Sequence, residues 1–285
     1  MMRSMFAGVS GMRSHQMMMD VIGDNIANVN TSGYKSSRVV FQDTLSQMMR
    51  DGAAGTAATG STNPSQVGLG VKVNAVDTVV TQGAIQNTGR PTDLAIQGPG
   101  YFVVSVEGQT AYSRAGSFGL DDTGRVVDPS GAVLQGWLAN PDGTLGDTTA
   151  APVGLSVPDS FTDATGTYDL RSFAIGSDGV LTAVYSDGTP RSVGQIALAS
   201  FSNPAGLTKN GDGHLLLGPA AGPAQVGAAG SGDRGSLATG ALEMSNVDLA
   251  QEFTNLMIAQ RGFQANSRII SASDELLQEL VNLKR

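Results

Sequence analysis

Residues 240–285, GALEMSNVDLAQEFTNLMIAQRGFQANSRIISASDELLQELVNLKR, carry Leu242, Leu249, Leu256, Phe263, Ile270 and Leu277 at intervals of seven. A sustained seven-residue apolar interval marks a helix whose seam is meant for another helix, because 3.5 residues per turn keep the stripe facing one partner. Ala259, Leu276, Leu280, Val281 and Leu283 widen the stripe toward the C-terminus. Gly240 stands just before the pattern, and Ser245 and Asn246 are candidate caps for its first turns. About forty residues at 1.5 Å each give a helix of roughly 60 Å, longer than a small domain is wide. Such a helix must project, or lie along something extended.

The opposite end repeats the pattern. From Met2 to Asn28, the apolar residues Met2, Met5, Val9, Met12, Met19 and Ile26 fall at spacings of three, four and seven, with Gln16 and Gly23 in the remaining seam positions. The helix is expected to close near Asn30 to Gly33, where Asn and Gly tolerate left-handed geometry. Helices of this kind are marginal alone in water. Packing the two ends against each other as an antiparallel coiled coil hides part of both seams, and the remainder needs neighbouring copies. Repeated head-to-tail contacts of that kind build rings or open helical polymers rather than closed dimers.

Between the ends the texture changes. Val39 to Met49 reads as a short helix, followed by a linker from Asp51 to Ser65 made largely of Gly, Ala, Thr and Ser. From Val67 onward, short β-prone runs such as Val71 to Val80, Tyr101 to Val106 and Gln195 to Phe201 alternate with turn signals. Those signals include Asp122-Thr123-Gly124, Asp142-Gly143, Asp178-Gly179 and Asp187-Gly188. The expectation is a multidomain α+β chain. Residues 1–32 and 240–285 form a discontinuous helical assembly domain, 33–66 a connecting segment, and 67–239 a β-rich domain with 156–189 as a small subdomain.

Composition narrows the function. A net charge of -8, with 17 Lys plus Arg against 25 Asp plus Glu, opposes binding to nucleic acid or an anionic membrane. No Cys is present, which removes disulfides, thiolate ligands and thiol nucleophiles together. Polar Ser4, Ser10, Ser14, His15 and Gln16 interrupt the first stretch, so neither a cleavable signal nor a membrane span is read there. His15 and His214 have no Cys or paired carboxylates in sequence around them, and no Gly-x-Ser-x-Gly elbow accompanies the many serines. Asp121, Asp122 and Asp128 lack calcium-loop spacing and are read as turn residues. No catalytic machinery, cofactor site or metal site is expected.

Four stretches resemble the bacterial flagellar axial proteins, the hook and distal rod group. They are Met19 to Lys35 (MDVIGDNIANVNTSGYK), Asn87 to Val104 (NTGRPTDLAIQGPGYFVV), Tyr112 to Phe118 (YSRAGSF) and Gly240 to Arg285. The motif positions are Asn25, Asn28, Thr31, Gly33, Tyr34 and Lys35 at one end and Ser245, Asn246 and Asp248 at the other. Asp24, Pro99 and Gly262 depart from the pattern, the last costing about 1 kcal/mol relative to Ala within a helix. The resemblance implies a non-enzymatic subunit of the hook that is exported through the flagellar type III apparatus and polymerises into a torque-transmitting tube. Details of the C-terminal motif favour the hook, while the chain length points toward the distal rod. Implied partners are further copies of the chain, other axial proteins such as the distal rod, hook cap and hook-filament junction, and the export apparatus.

Overall fold

The computed structural model describes residues 2–52, 54–55, 60–139, 146, 148, 150–163 and 166–282. Asp142-Gly143 and parts of the 51–65 stretch therefore lie outside the described residues. The chain forms two compact units. The first contains 1–27, 36–79 and 247–285, and the second contains 28–35 and 80–246. The chain crosses from one unit to the other at 27/28, 35/36, 79/80 and 246/247.

In the first unit, helix α1 spans Met2–Ala27 and helix α2 spans Leu249–Asn282. α2 starts where Asp248 caps it: Asp248 Oδ1 accepts from the amides of Ala250 at 2.9 Å and Gln251 at 3.2 Å. Glu252 in the first turn adds a charge that complements the helix dipole. The cap is therefore Asp248, not Ser245 or Asn246, and the helix is one heptad shorter than the periodicity suggested. Leu242 is not helical. It lies in the strand Ala241–Glu243, paired with Ile85–Asn87, so a long-range ladder overrides the local period.

The helix expected over Val39 to Met49 is instead two strands, β1 (Ser37–Asp43) and β2 (Ser46–Arg50). They pair antiparallel with β4 (Val71–Thr78) and β3 (Ser65–Gly68), respectively. The reason lies across the ladder: Val39 and Val40 face Val76 and Ala75, and Phe41 faces Val73. β-branched and aromatic residues gain more from such cross-strand pairs than from a short helix.

The second unit is an antiparallel β structure with no long helix among its described residues. Its main sheet runs, in spatial order, through Ser160–Asp163, Gly166–Ile175, Val180–Tyr185, Pro190–Ser200, Val133–Leu138, Tyr101–Val106, Gln109–Ser113, His214–Leu216 and Thr208–Gly211. The strands within 156–189 thus continue the same sheet, and Ile175, Leu181, Ala183 and Tyr185 join the same core as Leu94, Phe102 and Ile196. Both faces of the sheet are covered. On Tyr101–Val106 and Pro190–Ser200, Phe102, Val104, Ile196 and Leu198 face the larger core, while Tyr101, Val103, Ala197 and Ala199 face a smaller one with Tyr112 and Trp137. That two-sided burial explains the unbroken apolar run YFVV, since alternation appears only where one face meets water.

Candidate functional site

The two units bury their apolar residues very unequally. Among the described residues, every fully buried apolar side chain except Ile22 and Ala259 belongs to the β unit. The helical unit instead exposes Phe6 and Met17 on α1, and Leu249, Phe253, Met257, Ile258, Ile269 and Leu276 on α2. Its strand segments add Leu45, Met48, Met49, Val67 and Leu69, with Leu45 at 82% exposure. A soluble monomer rarely presents so much contiguous apolar surface without a partner.

Within that unit the helices touch through small residues. A Cβ placed on Gly8 would lie 3.3 Å from Ile270 Cγ1, one on Gly11 would lie 2.5 Å from Asn266 Nδ2, and one on Gly262 would lie 2.5 Å from His15 Nε2. The innermost positions of α1 are Gly8, Gly11, Ser14, Ile22 and Asn25, whereas the expected seam residues Met5, Val9, Met12, Met19 and Ile26 flank that line half-buried. On α2, Ala259 and Ser273 are buried, Leu256, Phe263, Ile270 and Leu277 are half-buried beside them, and Leu249 is exposed. The face on α1 is rotated from the one that apolar counting gives because glycine and serine, not methionine, sit at the closest approach.

Gly262 thus has a packing reason that offsets its poor helix propensity. Replacing it by Leu, a better helix former by about 1 kcal/mol in isolation, is expected to lower rather than raise the helical content of the full-length chain. The added side chain meets the His15 ring. Far-ultraviolet circular dichroism checks the sign.

The N-terminal motif builds the chain crossings. Asn25 is buried and clamps the backbone of Ser37 from both sides, donating from Nδ2 to Ser37 O at 2.8 Å and accepting from Ser37 N–H at 2.9 Å. Asn28 and Thr31 close the turn after α1: Thr31 Oγ1 donates to Asn28 Oδ1 at 3.0 Å, and Thr31 N–H donates to Asn28 O at 3.1 Å. Gly33 has φ of +71° and donates its N–H to Glu243 O at 2.8 Å. A Cβ there would fall 2.6 Å from Ala115 N. Gly33→Ala is accordingly expected to destabilise the β unit by about 1–3 kcal/mol through backbone strain alone, measured as a lowered urea midpoint of Trp137 fluorescence. Tyr34 lies under Lys209, whose Nζ is 5.0 Å from the ring centroid. Asn246 Nδ2 donates to Thr81 Oγ1 at 2.9 Å, with half-buried Ser245 next to it.

Lys35, the last residue of that motif, belongs to a buried charge cluster. Glu243 is sealed from solvent, and its Oε1 accepts from Lys35 Nζ at 2.6 Å and from Gly83 N–H at 2.9 Å, while its Oε2 accepts from Arg114 Nε at 2.5 Å. Lys35 Nζ also donates to Thr81 O at 2.7 Å. The Arg114 guanidinium donates further to the carbonyls of Gly100, Ile96 and Gly98. Burial works to raise the Glu243 pKa, but the Arg114 charge and the donors from Lys35, Arg114 and Gly83 outweigh it and hold the carboxyl below its usual range. Burial lowers Lys35 from the ordinary lysine value, more than the hydrogen bond and charge of Glu243 restore. Arg114 and Glu243 sit inside the quoted YSRAGSF and GALE stretches, yet nothing local in either marks a buried partner. Their one signal is a lone charge within an otherwise uncharged strand-like run.

His214 is a second residue that the sequence left isolated. Its Nε2 lies 3.2 Å from Asp128 Oδ2 and 2.9 Å from Ser130 Oγ. Both partners share one ring nitrogen, whereas a nucleophile relay needs opposite ones. Asp121 is a turn residue: Oδ1 accepts from Thr123 Oγ1, Thr123 N–H and Arg125 N–H, and the Thr123 hydroxyl leads the hydrogen bonds that lower its pKa to about 2. Among the described residues no group of three or more His, Asp or Glu side chains is placed to hold a metal ion.

Residues 5–35 match the family described as flagella basal body rod protein, residues 95–183 the flagellar hook protein FlgE/F/G D1 domain, and residues 238–283 the flagellar basal body rod FlgEFG protein C-terminal region. The chain is 45% identical to the flagellar basal-body rod protein FlgG of Bacillus subtilis over the full length of both. It is 37% identical to the FlgG of Caulobacter vibrioides across 99% of this chain and all of that one. It is 30% identical to the flagellar hook protein FlgE of Borreliella burgdorferi, again covering both chains fully.

Proposed function

The chain belongs to the flagellar basal-body rod and hook protein family, structural proteins of the flagellum, and from that premise we propose that it is a rod subunit, the distal rod of the axial group. One observation carries the choice of rod over hook. The alignment with the Bacillus subtilis rod protein spans 289 positions and covers both chains completely, whereas those with two hook proteins spread over 441 and 463 positions, so they meet this chain only across long insertions. The hook reading retains support from the fact that those hook relatives still align with every part of the chain at 30% identity.

In this reading the two terminal helices pair antiparallel as a coiled coil. Supporting it, Gly8 stands opposite Ile270, Gly11 opposite Asn266 and His15 opposite Gly262, so numbers rise on one helix as they fall on the other. The uncovered apolar side chains of α2 and of β2 and β3 then meet neighbouring copies. Hydrophobic burial at about 25 cal/mol per Å² makes that contact the main driving force for assembly. Further partners are the adjoining axial proteins and the export apparatus. Basal bodies imaged from a strain lacking this chain test the assignment: a truncated rod without a hook is the expected outcome, and a complete rod that lacks only its hook would transfer the assignment to the hook.

A further inference from the structure

The cluster of Lys35, Arg114 and Glu243 is not neutral. Two cationic side chains share one carboxylate, so in its ionised state it carries a charge of about +1 inside the β unit. Its donors are not used up either. An ammonium has three N–H donors and a guanidinium five. Glu243 and Thr81 O take two from Lys35; Glu243, Gly100, Ile96 and Gly98 take four from Arg114. Among the described residues one donor on each remains, and both side chains line the same cleft of about 380 Å³.

The remaining walls of the cleft include Val80, Gln82, Pro99, Tyr101 and Pro204. Gln82 is held in place, donating to Ile96 O at 3.1 Å and accepting from Gly98 N–H at 3.1 Å. An adjoining cleft shares Pro99, Gly100, Tyr101 and Pro204 and is lined also by Asp233. We propose that the cleft binds one carboxylate group through Lys35 and Arg114. A monoanion balances the surplus charge, and its two oxygens match the two unspent donors. A dianion would leave a buried negative charge uncompensated. The inference depends on the charge cluster alone, not on whether the chain builds rod or hook.

Two sources can supply such a group: a free small acid, or an Asp or Glu side chain of a second copy. Sodium acetate is exchanged for sodium chloride at constant ionic strength, and melting of the full-length chain is followed by calorimetry. The expected result is a saturating rise in the melting midpoint, as for any ligand that binds only the folded state. Val80→Phe narrows the cleft without touching the charged cluster, and with its β signal retained it is expected to lose that rise. Equal melting in acetate and chloride, or an acetate effect undiminished in Val80→Phe, overturns the free acid as the source. In the second arm, assembled polymer is treated with a carbodiimide and digested. A Lys35 cross-link to an acidic residue of another copy identifies the source as that copy and supports the proposal by itself. Cross-links confined to Lys35 and Glu243, together with acetate stabilisation, identify a free acid. Absence of both the inter-copy cross-link and the acetate stabilisation overturns the proposal.

Discussion

Glu243→Ala is expected to leave the β unit largely unfolded under conditions where the wild-type chain is folded. Removing the shared carboxylate strands Lys35 and Arg114 as buried cations, and breaking a buried ion pair on one side costs about 3–5 kcal/mol. That is a large part of the roughly 5–15 kcal/mol that holds a typical domain together. Urea unfolding followed through the buried Trp137 measures the loss. Replacing all three charged residues with apolar side chains of similar volume is expected to recover much of it, because desolvation is then avoided altogether.

The pH dependence has a definite sign. The Glu243 carboxyl is depressed in the folded chain, so its contribution is complete above the ordinary value of 4.5 and is lost as pH falls through the lowered one. Glu243→Gln should therefore flatten the acid side of the stability curve. Asp121 and Asp187, also depressed by their hydrogen bonds, keep part of that slope. The lowered Lys35 value has the sign that makes stability rise with pH between that value and 10.5.

Phe263→Asp is expected to abolish polymer growth while the urea transition of Trp137 stays where it was. Phe263 is half-buried, and its neighbour Gly262 meets His15 of α1. Truncating a fully buried Phe costs about 3–5 kcal/mol and a half-buried one less, and placing a carboxylate there adds a desolvation penalty. The loss recurs at every subunit of a polymer. Leu256→Asp should act in the same direction. Sedimentation and electron microscopy of the purified variants decide it, and normal polymers from Phe263→Asp would remove the helical face from the mechanism.

What the sequence disclosed follows from the range of the forces involved. The seven-residue repeat of α2 was readable from Leu256 to Leu277 because a helix writes its buried face into local spacing. It failed at Leu242, where pairing with Gln86 across the chain decided the conformation. It failed again over Val39 to Met49, where strand partners lie in β3 and β4 rather than nearby. On α1 the repeat identified a helix but not its innermost line, since Gly8, Gly11 and Ser14 are invisible to a count of apolar residues. Lys35 was singled out by resemblance, but Arg114 and Glu243 were not marked as its partners. Contacts that bridge 129 and 208 residues leave no periodic trace.

Those same separations bear on when the β unit can finish. Residue 35 is synthesised 208 positions ahead of its carboxylate partner. Until that late stretch arrives, two cations have no counter-charge and the strand Ala241–Glu243 is missing from its ladder. A polypeptide that stops short of residue 243 is therefore expected to stay open, and closure waits for that strand, with loop-closure entropy slowing the final step.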